Sequence, residues 1–256
     1  GVTIIQRGIL SVGDSVALVG IVFGSRLTTS STELGFFRNS SDHPLYPTKG
    51  TRLSLSSELA GGPLGGQVSF HKHRIEGRAY FPSLMRGVST MVRTRIGLVG
   101  EYPNAGRTTV PPYELFRLGG GSSIDPLRGY DDYQVVPDKF DRFVRDESRD
   151  QVDPVQADSV ILFRVRYPGG RYFTTYSVEQ QFPIVHPLHG VLFFDAGNVW
   201  DLAKEIRPLK LKTSVGVGFR IEIPLLGNIG FDYGYGFQRD DGPRAVGHFL
   251  LGNVNF

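Results

Sequence analysis

Val215, Val217, Phe219, Ile221 and Ile223 take every second position of one short stretch, with Gly216, Gly218, Arg220 and Glu222 between them. A period of two sends successive side chains to opposite faces of a strand, so this stretch carries one apolar and one polar face. The pattern returns where Ile229, Phe231, Tyr233, Tyr235 and Phe237 alternate with Gly230, Asp232, Gly234, Gly236 and Gln238. Arg52, Ser54, Ser56 and Glu58 interleave with Leu53, Leu55 and Leu59, while Val92, Ile96 and Leu98 oppose Arg93, Arg95 and Glu101. Repetition of this kind predicts an all-β chain. It leaves open which face is covered, because a soluble sandwich has the same period.

The connections narrow the choice. Tyr46 to Gly50, Phe81 to Gly87, Pro183 to Gly190 and Pro224 to Asn228 read as compact turns. Alternating with them are longer polar links at 60–66, 102–170, 201–212 and 238–246. Short turns on one rim and long loops on the other suit an up-and-down antiparallel transmembrane β-barrel. We expect about eight strands after residue 50 and three or four before residue 46, eleven or twelve in all. The charge-dense stretch 138–153 reads as a solvated part of the longest loop.

Composition excludes several classes. No run of about 18 apolar residues exists to make a membrane helix, and alternating strands keep mean hydropathy near zero at -0.13. A net charge of +3 from 28 basic and 25 acidic residues argues against a nucleic-acid binder. Without cysteine there is neither a disulfide frame nor a thiolate metal site. The chain opens on Gly1 rather than Met, so it reads as a mature product or an excised piece.

Four motifs stand in order along the chain. Pro47-Thr48-Lys49-Gly50 precedes an alternating strand; Gly119-Gly120-Gly121-Ser122-Ser123 leads to Leu127-Arg128-Gly129-Tyr130. Phe193-Phe194-Asp195-Ala196-Gly197-Asn198-Val199-Trp200 follows, and the chain closes on Gly252-Asn253-Val254-Asn255-Phe256. From Tyr46 to Phe256 the sequence resembles the barrel domain of the BamA/TamA superfamily of bacterial surface antigens. It departs from that pattern in the inserted Ile124-Asp125-Pro126 and in Gly252 standing four residues before the end.

The resemblance implies one outer-membrane barrel domain over residues 1–256, of a sixteen-strand family, with the extracellular loop 103–170 folded into the lumen. Periplasmic domains that precede the family barrel are expected to be absent from this chain. Leu127, Arg128, Gly129 and Tyr130 would be the lumen motif, and Glu179 and Asp195 the partners of Arg128 on the inner wall. A buried guanidinium needs such carboxylates, because an unpaired buried charge costs several kcal/mol. Phe194, Gly197 and Trp200 would mark the family strand. Gly252, Val254 and Phe256 would form both the insertion signal and one side of a weak seam between first and last strands.

The function so implied is insertion and folding of other barrels into the outer membrane, without a cofactor or metal and without enzymatic chemistry. Partners would be unfolded client barrels, outer-membrane lipid and periplasmic lipoprotein subunits. The compartment would be the outer membrane of a Gram-negative-type envelope, with an organelle outer membrane as second choice. Rival readings are a secretion pore of the same superfamily, the membrane anchor of a fused patatin-like lipase, and a soluble β-sandwich. His71 and His73 share a strand face, but no third metal ligand stands at a fitting spacing. Neither a G-x-S-x-G elbow nor a P-loop occurs.

Overall fold

The computed structural model describes residues 4–12, 15–25, 29–44, 46–66, 68–83, 85, 87–102, 110–121, 125–138, 169–223, 227–239 and 241–251. Eleven strands lie among them. They are β1 (Ile4–Val12), β2 (Ser15–Ser25), β3 (Ser31–Asn39), β4 (Gly50–Ala60), β5 (Phe70–Pro82) and β6 (Ser89–Gly100). After the long loop come β7 (Tyr172–Val185), β8 (Leu188–Trp200), β9 (Lys212–Ile223), β10 (Gly227–Gly236) and β11 (Arg244–Leu251). Most have the 9 or more residues a tilted strand needs to cross a bilayer.

Strands β3 to β11 make one nine-stranded sheet in chain order, every neighbour antiparallel, and β1 pairs with β2. This is the meander that the alternation of short and long links predicts. The ring is not closed among the described residues, since β3 and β11 stand at the two edges of the sheet.

Burial decides which face is which. On β9 Val217 and Phe219 are 45% and 49% exposed, whereas Ser214 is fully covered; on β10 Phe231 is 47% exposed and Asp232 fully covered. Apolar side chains point out and polar ones in, the reverse of a water-soluble sandwich. A face of exposed Val, Phe, Tyr and Ile around buried Arg and Asp is stable only where lipid replaces water outside. The sandwich reading is thereby overturned.

One expectation needs correcting. The turn read at Pro183 to Gly190 is much tighter: β7 continues to Val185 and β8 starts at Leu188. Pro183 is tolerated because it pairs with His189 at the last rungs of the ladder, where a missing N–H matters least. The lumen is lined in part by apolar side chains. Toward the long-loop ends of β5 to β8, Phe70, Val99 and Phe173 pack with Phe116, Leu118 and Leu127 of the loop. The loop thus plugs that end with an apolar cluster, while the charges lie deeper.

Candidate functional site

The long loop is organised by pairing with itself and with the wall. Leu118 bridges Val135, Gly120 bridges Leu127, and Phe116 bridges Gly170. Gly120 N–H donates to the Tyr130 carbonyl at 2.9 Å, closing a compact lobe whose tip is Leu127 to Tyr130. Leu127 and Tyr130 are fully buried and Arg128 nearly so.

At that tip, Arg128 spreads its donors over three strands. Nε and Nη2 meet Oδ2 and Oδ1 of Asp195 on β8 at 2.7 and 2.8 Å, the two-pronged arrangement that fixes direction as well as charge. Nη1 reaches Glu179 of β7 at 2.7 Å and Asp232 of β10 at 3.2 Å, and Nη2 donates to the Ser177 hydroxyl at 3.1 Å. The guanidinium carbon lies 3.7 Å from the ring centre of Phe193, which forms an aromatic floor beneath it. Arg220 on β9 binds both oxygens of Asp232 at 2.6 and 2.9 Å. Three acids are therefore met by two arginines, and Arg128 is the one supplied by the loop.

The backbone around Arg128 explains why glycines flank it. Gly129 has a φ of +84°, a left-handed conformation that a side chain strains, and a Cβ there would lie 2.9 Å from Ser214 Cβ. On the wall, a Cβ at Gly234 would come within 2.7 Å of the Gly129 nitrogen. The bare face of β10 lets loop backbone lie directly on strand backbone.

Further contacts hold the lobe. Gly129 N–H donates to Nε2 of His248 on β11 at 3.0 Å, and its carbonyl accepts from Nη1 of Arg239 at 2.8 Å. The Tyr130 hydroxyl donates to the Thr213 carbonyl at 3.0 Å. Arg239 also binds Asp131 at 2.8 Å and Asp241 at 2.9 Å; burial works against its charge, but those carboxylates hold its pKa above the usual arginine range. On the opposite side, Lys72 meets Glu114 at 2.9 Å and Arg74 meets Asp125 at 3.4 Å. Burial pushes the Asp125 carboxyl above its ordinary pKa, with Arg74 pulling the other way.

Of the residues singled out in the sequence, Arg128, Glu179 and Asp195 meet directly. Phe194 sits on the outer face, 43% exposed, while Gly197 lies against Thr175 and Leu118 inside, and Trp200 is buried near the loop end of β8. Gly252, Val254 and Phe256, like 103–109, 122–124 and 139–168, lie outside the described residues. Sequence reading missed Asp232, Phe193, His248 and Arg239. An acid among the lumen-facing glycines of β10 was the available signal for Asp232. His71 and His73 stand 3.1 Å apart, nitrogen to nitrogen, and His73 also meets the Ser57 hydroxyl at 2.9 Å.

Against known proteins, the family description "Omp85 superfamily domain" matches residues 24–253. The chain belongs to the Omp85 superfamily. This Omp85 chain is 30% identical over 223 residues to "Outer membrane protein assembly factor BamA" of Nitratidesulfovibrio vulgaris Hildenborough, covering 86% of the chain and 25% of that protein. It is 28% identical over 174 residues to a "SAM50-like protein" of Schizosaccharomyces pombe, covering 65% of the chain and 30% of the relative. The fold resembles the crystal structure of BamA from Haemophilus ducreyi lacking POTRA domains 1-3, with a TM-score of 0.61 at 16% identity over 93% of the chain and 45% of that structure. The Omp85 chain thus spans about a quarter of the length of the curated relatives it matches. With a lipid-facing apolar wall and this family, it is an outer-membrane β-barrel domain.

Proposed function

We propose that this chain is the barrel of an assembly factor that folds and inserts other β-barrel proteins into the outer membrane. The observation that carries the proposal is the loop arginine gripped by acids from β7, β8 and β10. A loop fixed so deeply stiffens one part of the wall and leaves the strands at the sheet edges as the deformable part. The edge of β11, which no strand pairs among the described residues, can then offer backbone groups to a client strand, which adds by β-augmentation. No nucleotide chemistry is required, since backbone hydrogen bonds gained in lipid supply the driving force. The relatives' names, assembly factor BamA and SAM50-like protein, support the same reading.

On this proposal the partners are unfolded client barrels, lipid, and periplasmic lipoprotein subunits of an assembly complex; loop 103–170 serves as an extracellular element folded into the lumen. Gly252, Val254 and Phe256 would supply the terminal part of the seam. The test is reconstitution of the full-length protein in liposomes with an unfolded client barrel. Client folding should run several-fold faster than in empty liposomes. Equal rates would overturn the proposal.

A further inference from the structure

Two histidines share the outer face of β5. Lys72 and Arg74 point inward, where they meet loop carboxylates. By the two-residue period of a strand, His71, His73 and the half-exposed Ile75 face outward. His71 is the second residue of β5 and pairs with Gly100, the last of β6. The histidines therefore stand at the long-loop rim of the wall, away from its middle. Both are half-buried.

Their rings face each other through nitrogen. His71 Nδ1 lies 3.1 Å from His73 Nε2, with ring centres 5.1 Å apart and planes tilted by 42°. His73 Nδ1 is 2.9 Å from the hydroxyl of Ser57, its partner across the β4–β5 ladder. That contact commits one nitrogen of His73 to the neighbouring strand and aims the other at His71. A Cβ at Gly100 would lie 2.7 Å from His71 Nε2, so the bare backbone of β6 makes room for this ring. The Tyr102 ring stands beside it, 5.6 Å away centre to centre.

Two neutral imidazoles can meet in this way through one hydrogen bond, an N–H facing a lone pair. The same spacing fits two lone pairs on one cation. Nitrogens held about 2.0–2.1 Å from a metal and 3.1 Å from each other subtend about 100° there, between the square and tetrahedral angles. Alternate positions on a paired strand keep that bite without any loop having to be ordered.

We propose that His71 and His73 form a rim site for a divalent transition-metal cation of the copper, nickel or zinc class. Imidazole suits these ions, whereas magnesium and calcium select oxygen. His71 Nδ1 and His73 Nε2 supply the lone pairs, and each neutral ring keeps its one proton on the other nitrogen, so the metal's charge is unchanged. On His73 that proton points to the Ser57 hydroxyl, an outer-shell acceptor that fixes the tautomer. No third His, Asp or Glu gathers with the pair among the described residues, so water completes the coordination sphere.

Copper(II) chloride and zinc chloride, added to the full-length protein in detergent, provide the test. Electron paramagnetic resonance of the copper sample counts bound nitrogens. Wild type should show a component with two imidazole nitrogens, which is lost in His71→Gln and in His73→Gln. Calorimetric titration with zinc should show at least tenfold weaker binding in either variant, and millimolar magnesium should not compete. Ser57→Ala keeps both rings and should weaken zinc several-fold, an outcome that a pair joined only by its own hydrogen bond would not give. Comparison with wild type removes the contribution of other histidines, and the heat-induced band shift on gels checks that each variant is folded. Where a Gln variant does not fold, Phe at the same position keeps the ring and takes its place. A wild-type spectrum without the two-nitrogen component overturns the site whatever the variants do. So do equal zinc affinities in wild type and both histidine variants.

Discussion

Arg128 and Asp195 meet edge to edge inside the sheet, Nε to Oδ2 at 2.7 Å and Nη2 to Oδ1 at 2.8 Å, although 67 residues separate them in sequence. Both are almost completely buried. Because Asp195 sits mid-strand on β8 and Arg128 at the tip of a loop, the pair determines where the loop can go.

Removing the guanidinium should therefore be severe. Arg128→Ala leaves Glu179 and Asp195 buried without their principal cation, a change that costs about 3–5 kcal/mol. Arg128→Lys keeps the charge but loses the two-pronged contact and should fall between. The midpoint of heat-induced band shift in detergent measures both, and an Arg128→Ala protein as stable as wild type would contradict the contact's role.

Gly129→Ala tests the close approach of loop and wall. The left-handed φ and the 2.9 Å clash with Ser214 Cβ together should cost about 1–3 kcal/mol. Gly77, with open space around a Cβ on β5, is the control, and Gly77→Ala should be neutral within about 0.5 kcal/mol. Equal effects of the two substitutions would show that the loop does not rest on β10.

The strands were legible because their physics is local. Alternation from Val215 to Ile223 and from Ile229 to Gln238 is reproduced by β9 and β10, with Phe219 opposite Phe231 on the lipid side. Arg128, Glu179 and Asp195 were legible only through the resemblance of their motifs, since no period links a loop to strands 51 and 67 residues away. His248 and Arg239 touch Gly129 through backbone groups, which carry no sequence signal. The internal bridges of the loop were invisible for the same reason.

Tyr130→Phe keeps the ring and deletes the hydroxyl that donates to the Thr213 carbonyl at 3.0 Å. A lost hydrogen bond to a half-covered carbonyl should cost about 1 kcal/mol, so the unfolding midpoint should drop slightly while the loop stays in place.

Asp42, in the link between β3 and β4, carries a pH signature. The Thr48 hydroxyl, helped by the backbone N–H groups of Thr48 and Lys49, holds its pKa at about 2. A folded pKa below the unfolded one means the contribution is fully present above the ordinary Asp value of about 3.9 and is lost as pH falls through about 2. The stability difference between wild type and Asp42→Asn should be flat at neutral pH and shrink below about pH 4. A difference that grows on acidification would contradict the assignment.

The loop's place inside the barrel is open to direct measurement, because the chain contains no cysteine. A Cβ at Gly121 would lie 2.6 Å from His248 Cβ, on the loop and on β11 respectively. Cysteines introduced at both positions in the full-length protein should therefore cross-link in intact outer membranes, giving a band of altered mobility that reductant removes. Failure of that pair to cross-link, while a cross-strand pair at Val217 and Tyr233 does, would place the loop outside the lumen.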